Sequence, residues 1–250
     1  MAATPHSVEF IDSGRYPLHD PGLAAYAALL VSASGEYRET GCCVLPGFVM
    51  PGALAQIVVD CDTVASLGFR QPARRGPLVV PYDVIPLASP LRRLYEWDAV
   101  TRLVAGVIGA PAVFRSADPL GALNIDVMTE GDELAWHLDR DAVSVVLVIQ
   151  DAIEGGGFEY LLPSDEDAED IGINPLIAGD TSARLCTDAP APGALMIFDG
   201  RRLLHHVTAV HGPRPRYRAT FAYDFAPGAA ISDAERLDRY GRLPSPGRRG

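Results

Sequence analysis

The pattern of apolar residues changes near residue 112, and this change constrains the fold more than any other feature of the sequence. Before it, three long segments are rich in helix-forming residues, at 21–36, 51–68 and 90–109. After it, apolar residues occur in short segments separated by glycine, proline and aspartate. Short strands with such turns are typical of sandwiches and barrels. The sequence therefore predicts a mainly helical first part and a β-sandwich or barrel in the second.

The second part contains a regular series of predicted strands. A strand, a turn at residues 130–132 and a second strand are predicted within 121–139, and a glycine turn is predicted at 155–157. The acidic run at 165–170 is predicted to be a solvated loop. Further strands are predicted from the segments "AVSVVLVIQ", "FEYLLP", "GALMIFDG", "LLHHVTAV" and "RYRATFAYDF".

Composition excludes several classes of protein. The net charge of −11 and the absence of a long basic stretch argue against a nucleic-acid-binding surface. All 21 cationic residues are arginine, which excludes P-loop and pyridoxal-phosphate chemistry, because both need a lysine. No apolar run reaches the ~18 residues of a membrane span. The four cysteines form no C-x-x-C pair, so we expect free thiols and a cytoplasmic location.

A possible metal site lies next to an apolar strand. His137 and Asp139 directly precede the run "AVSVVLVI", and residues two apart on a strand point to the same face. A third ligand is expected from "LLHHVTAV", where His205 and His206 alternate faces, so that only one can join the pair. Two histidines and one carboxylate leave coordination positions open, as in non-haem Fe(II) oxygenases.

An arginine follows this segment at a distance that suggests a second ligand. Arg216 lies eleven residues after His205, at the start of the next predicted strand. A buried arginine can form a bidentate pair with a carboxylate. An iron enzyme that uses 2-oxoglutarate needs such a cation for the far carboxylate of the cosubstrate.

At this point the chain resembles a known family. The segments "NIDVMTEGDELAWHLDR", "VLVIQDAIEGGGFEY", "PGALMIFDGRRLLHHVTAVHGPRPRYRATFAYD" and "LDRYGR" are similar to 2-oxoglutarate- and Fe(II)-dependent oxygenases. They are nearest to a bacterial small-molecule group of free amino-acid hydroxylases and halogenases, over about residues 120–241. The resemblance implies an α+β fold with a double-stranded β-helix (jelly-roll, cupin-like) core and a helical N-terminal half packed on it. It implies a single oxygenase domain over 1–250, with helical support and lid at 1–112, the core at 113–226 and a C-terminal tail at 227–250.

The resemblance also implies roles for individual residues. His137, Asp139 and His205 match the iron ligands, and Arg216 matches the arginine that holds 2-oxoglutarate. Met128 stands where relatives often have a tyrosine that contacts the cosubstrate. Arg218 shares a face with Arg216, and is either an alternative anchor or an additional cation for the substrate.

The expected substrate is a small, amino-acid-like molecule, and O2 is the oxidant. Relatives bind the substrate carboxylate with an arginine in the region of Arg74 and Arg75, so these residues are either substrate ligands or solvated loop arginines. Asn124 and Asp126 either contact the substrate or bond the backbone. Halogenases of the group have glycine where this chain has Asp139, so the carboxylate favours hydroxylation, with desaturation or halogenation as alternatives.

A different class of protein is also possible: a β-barrel that holds a metal without turnover, or holds none. Oligomeric state is open.

Overall fold

The computed structural model describes residues 8–71, 76–139, 143–162 and 184–245. Arg74, Arg75 and the acidic run at 165–170 lie outside these residues. The α-helices are α1 (Ala24–Thr40), α2 (Pro51–Val64), α3 (Pro90–Glu96), α4 (Asp98–Ile108) and α5 (Asp233–Tyr240). Short 3-10 helices lie at Val8–Phe10, Ala65–Leu67 and Tyr82–Val84.

All three segments predicted to be helical contain helices, but the observed bounds differ from the predicted ones. The segment 90–109 forms two helices and not one, because Trp97 between them has extended backbone angles, φ −80° and ψ 116°. Both helices contribute side chains to the same buried core. The helix predicted at 21–36 continues to Thr40 and ends at Gly41, whose φ of 72° is favourable only for glycine.

The described strands form two larger antiparallel sheets and one small one. The strands are β1 (Cys42–Leu45), β2 (Leu78–Val80), β3 (Phe114–Arg115), β4 (Leu123–Met128), β5 (Leu134–His137), β6 (Val143–Gln150), β7 (Glu154–Gly155), β8 (Phe158–Leu162), β9 (Arg184–Asp188), β10 (Leu195–Phe198), β11 (His205–Val207), β12 (Val210–His211) and β13 (Arg216–Asp224). The large sheet has the order β1-β10-β6-β13-β4-β2, with β3 paired to β13, and the smaller sheet has the order β5-β11-β8-β9. Strands β12 and β7 pair separately.

The large sheet is covered on both faces, which explains the apolar composition of β6. Val145 and Leu147 belong to the core shared with the helices. Val146 and Val148, which point the other way, line a cavity between the large and the smaller sheet. A strand buried on both faces has no polar side, so its sequence is almost continuously apolar.

The smaller sheet packs against this second face. Phe158, Tyr160 and Val207 of the smaller sheet form one buried cluster with Met196 and Phe198 of the large sheet. The mixed helix-and-sheet class with antiparallel sheets is confirmed. The part of the chain expected to be mainly helical also contributes β1 and β2, the outer strands of the large sheet.

The segment predicted as a C-terminal tail contains a docked helix. Helix α5 starts with a capping box between Ser232 and Glu235. Arg236 on this helix forms an ion pair of 2.6 Å with Asp118, whose side chain is fully buried. The hydroxyl of Tyr240 donates to the Asn124 Oδ1 at 2.9 Å. Among the described residues, no helix is long and apolar enough to cross a membrane.

The Asp118–Arg236 pair yields a stability prediction. Asp118 also accepts hydrogen bonds from the backbone N–H groups of Leu120 and Gly121. Asp118→Ala removes the acceptor for all of these donors and should lower the free energy of unfolding by about 3 kcal/mol. Chemical denaturation followed by circular dichroism measures this loss. His211→Ala, which removes an exposed ion pair with Glu130, should leave stability nearly unchanged; equal losses in both variants would contradict the prediction.

Candidate metal centre

Two strands and the segment after one of them bring the predicted ligands together. His205 on β11 is the cross-strand partner of His137 on β5, so the two imidazoles share one face of the smaller sheet. Asp139 follows β5, and its backbone N–H donates to the Gly200 carbonyl at 2.7 Å. One ligand atom from each of the three side chains lies within 4.8 Å of the others.

Hydrogen bonds orient both imidazoles toward Asp139. The Nδ1 of His137 lies 2.7 Å from the Ala135 carbonyl, and the Nδ1 of His205 lies 2.7 Å from the Leu203 carbonyl. A carbonyl can only accept, so each Nδ1 carries a proton. In the neutral imidazole, each Nε2 then carries the lone pair that a metal needs, 3.6 Å from the Asp139 Oδ1. Fixing the tautomer through the second ring nitrogen is the usual device at metal-binding histidines.

The carboxylate of Asp139 is held in its charged form. Burial alone would raise its pKa, but His137, His205 and Ser144 outweigh this effect and hold the pKa well below its usual range. Two imidazole nitrogens and one carboxylate oxygen on one side of a point suit an octahedral Fe(II) with open positions. The donor set of these three residues therefore fits the expected ion.

Arg216 brings a buried cation to the same cavity. The side chain lies at the start of β13 and the residue is 5% exposed. Its Nη1 donates to the Met128 Sδ at 3.2 Å, while its Nε has no hydrogen-bond partner among the described residues. Burial and the nearby Arg218 lower the pKa of Arg216, but an arginine keeps its charge at neutral pH. A buried cation that has no carboxylate hydrogen-bonded to it favours an anionic ligand.

Arg218 differs from Arg216 because the protein already supplies its partners. Its Nη2 donates to the Asp151 Oδ1 at 2.6 Å, and its Nη1 donates to the carbonyls of Gln150 and Tyr217 at 2.9 and 3.0 Å. Although both arginines line the cavity, the charge of Arg218 is largely compensated.

Of the four residues considered for substrate contact, the structure describes Asn124 and Asp126, and these two lie in different places. Asp126 lines the cavity and accepts a hydrogen bond of 3.2 Å from Thr220; its burial raises its pKa. Asn124 is buried outside the cavity lining, and the carbonyls of Leu120 and Leu123 accept from its amide. The structure therefore brings Asp126 to the site and does not bring Asn124.

Helix α5 contributes cavity residues that sequence reasoning missed. The cavity has a volume of about 1160 Å³, and Glu235, Asp238 and Arg239 of α5 line one side of it. The pattern Ser232-x-x-Glu235 predicts a helix start, but no local signal indicates that this helix packs beside strands more than 100 residues earlier in the chain.

Comparison with known proteins establishes the fold. No family model matches the sequence, and no curated protein matches it. SnoN, a non-heme α-ketoglutarate-dependent epimerase from nogalamycin biosynthesis, is 19% identical with a TM-score of 0.61, over 79% of this chain and 83% of SnoN. A Pseudomonas putida prolyl-4-hydroxylase is 15% identical with a TM-score of 0.57, over 78% of this chain and 97% of that chain. HygX from Streptomyces hygroscopicus, solved with nickel and 2-oxoglutarate, is 16% identical with a TM-score of 0.54, over 77% of this chain and 85% of HygX. The chain shares the overall fold of these proteins.

The geometry predicts which histidine binds metal. His137→Ala, Asp139→Ala and His205→Ala should each abolish measurable binding of Fe(II) in an anaerobic calorimetric titration. His206→Ala should bind as the unmodified chain does, because His206 points away, with its Nε2 2.7 Å from Glu159 and its ring stacked on Trp136. Normal affinity in His205→Ala together with loss in His206→Ala would contradict the assignment.

Proposed function

We propose that the chain is an Fe(II)- and 2-oxoglutarate-dependent dioxygenase that hydroxylates an unactivated C–H bond of a small, amino-acid-like metabolite. One observation carries the proposal: a buried arginine with an unpartnered Nε lines the same cavity as a two-histidine, one-carboxylate cluster. A site that only holds a metal has no need for the arginine. A cosubstrate that chelates iron at one end and carries a carboxylate at the other needs both the metal cluster and the arginine.

Each group of residues has a distinct task in this proposal. His137, Asp139 and His205 bind the iron. Arg216 binds the distal carboxylate of 2-oxoglutarate, with Met128 beside it. When bound, iron and 2-oxoglutarate supply the oxidant from O2, with succinate and CO2 as the coproducts. The apolar walls of the cavity, including Val146, limit the access of water to this region.

The similar structures support the cofactors in this proposal. HygX was solved with nickel and 2-oxoglutarate bound, and SnoN was solved in complex with Fe3+, α-ketoglutarate and nogalamycin RO. We further propose that the two sheets are the halves of a double-stranded β-helix. Residues 1–250 then form a single oxygenase domain.

The substrate side of the cavity is polar, which favours a substrate with charged groups. Asp126 and the α5 residues Glu235, Asp238 and Arg239 line it. Arg74 and Arg75 remain predicted partners of a substrate carboxylate. The combination suits a small molecule that carries both an amine and a carboxylate, and screening free amino acids and related metabolites for succinate release tests this substrate class.

Arg216 provides the direct test of cosubstrate binding. Arg216→Ala should weaken 2-oxoglutarate binding by about 3 kcal/mol, roughly a hundredfold, because the buried carboxylate loses its partner. Fe(II) affinity should hardly change. Anaerobic titration with 2-oxoglutarate, followed through the visible charge-transfer band of the joint chelate, measures the cosubstrate affinity, and an anaerobic calorimetric titration with Fe(II) measures the metal affinity.

Two further arginine variants complete this test. Arg214 lines the same cavity and donates to the Ala152 carbonyl at 2.9 Å, so Arg214→Ala should bind 2-oxoglutarate nearly normally. If Arg218→Ala loses the band and Arg216→Ala keeps it, Arg218 is the anchor. If the unmodified chain binds Fe(II) but gives no band with 2-oxoglutarate, the metal-binding protein without turnover is the better description.

Asp139 predicts the outcome of the reaction. A carboxylate on the iron fills the position that a halide would need, and its charge repels chloride. The unmodified enzyme should therefore give an oxygenated product even at high chloride, and Asp139→Gly should lose most activity. Mass spectrometry of the product decides between the outcomes. A chlorinated product would overturn both the Asp139 ligand assignment and hydroxylation, and a product two hydrogens lighter than the substrate would indicate desaturation.

A further inference from the structure

Ser144 is the one hydroxyl residue in the apolar strand β6. It is 3% exposed, and its Oγ donates to the Asp139 Oδ2 at 2.5 Å. Burying a hydroxyl in an apolar strand costs free energy unless the hydroxyl is hydrogen-bonded. The carboxylate of Asp139, in the candidate metal centre, therefore satisfies the buried hydroxyl of Ser144.

The two oxygens of the Asp139 carboxylate have different surroundings. Oδ1 lies 3.6 Å from the Nε2 atoms of His137 and His205. Oδ2 accepts the hydrogen bond of the Ser144 hydroxyl. One oxygen thus faces the space where the metal would bind, and the other is held by the protein.

Gly200 also supports this orientation of the Asp139 carboxylate. Its carbonyl accepts the backbone N–H of Asp139 at 2.7 Å. A Cβ atom at this position would overlap both the Asp139 Oδ2 and the Ser144 Oγ. The absence of a side chain leaves room for the serine–carboxylate contact.

We infer that Ser144 is a positioning residue that holds the Oδ2 of Asp139, so that the carboxylate would bind a metal through Oδ1 alone. This inference rests on the proposed function. A carboxylate that bound through both oxygens would occupy an additional coordination position. Two adjacent positions are needed by a chelating 2-oxoglutarate, and one more is needed by O2. Ser144 thereby keeps positions open without touching the metal itself.

The test compares Co(II) binding by the apo forms of the full chain, with the visible absorption spectrum as the readout. Ser144→Ala should weaken Co(II) binding about tenfold and shift the cobalt bands, because the freed carboxylate changes its coordination. Ser144→Thr keeps the hydroxyl and should restore both affinity and spectrum. Ser89→Ala is the matched control: Ser89 is equally buried, at 2% exposed, and its Oγ has no partner among the described residues, so it should behave as the unmodified chain does.

The outcomes separate this inference from the proposed function. If the unmodified chain binds no Co(II), the proposed function fails, and the inference fails with it. If the unmodified chain binds Co(II) and Ser144→Ala has the same affinity and spectrum, only the inference is overturned. Equal losses in folded Ser144→Ala and Ser144→Thr would show that size and not the hydroxyl matters, which also overturns it. Should Ser144→Thr not fold, the comparison of Ser144→Ala with Ser89→Ala decides alone: weakened Co(II) binding with shifted bands in the first variant only would support the inference, and the same binding and spectrum in both would overturn it.

Discussion

The pairing of β5 with β11 is the interaction on which the candidate site depends. It places His137 opposite His205 on the inner face of the smaller sheet, and a shift of β5 by one residue along β11 would turn the His137 imidazole to the outer face, away from His205. On that outer face, His206 stacks on Trp136 with ring centroids 4.0 Å apart and contacts Glu159. Contacts on both faces thus favour the same register. The hydrogen bond from Asp139 to Gly200 then places the carboxylate beside the two histidines.

The buried Arg216 of the cavity has no hydrogen-bonded acidic partner among the described residues. Two buried arginines on one strand repel each other and are costly to desolvate. Asp151 and two backbone carbonyls compensate Arg218. Among the described residues, the Nη1 of Arg216 donates to the sulfur of Met128, and its Nε has no hydrogen-bond partner. A tyrosine at position 128 would offer a hydroxyl, whereas the thioether is a weak acceptor. An anion that binds Arg216 therefore does not have to displace a strong internal partner, and no such cost reduces the free energy of binding.

Much of this arrangement could be predicted from the sequence, because the strands have clear periodicity and His137, Asp139, His205 and Arg216 lie at strand ends. What could not be predicted depends on contacts between distant segments. The amide of Asn124 points to its own backbone and to Tyr240, which lies 116 residues away, and nothing local distinguishes it from Asp126. The break at Trp97 was also hidden, because apolar residues continue through it at helical spacing. Ser144 had a local signal, a hydroxyl within "VSVVLVI", but its partner becomes evident only when the chain is folded.

Glycine has a specific role next to each of the two charged groups that define the site. A Cβ at Gly156 would overlap the Cδ of Arg216, and the φ of Gly156, 70°, already disfavours other residues. At Gly200 the backbone has no such restriction, so the close approach of the Asp139 carboxylate is the reason for glycine there. The side chains of Arg216 and Asp139 thus pack against the backbone of a glycine, which has no side-chain rotamers and therefore cannot rearrange as a side chain can. Because a metal and a cosubstrate tolerate little displacement of their ligands, rigid neighbours of this kind maintain the geometry that the chemistry needs.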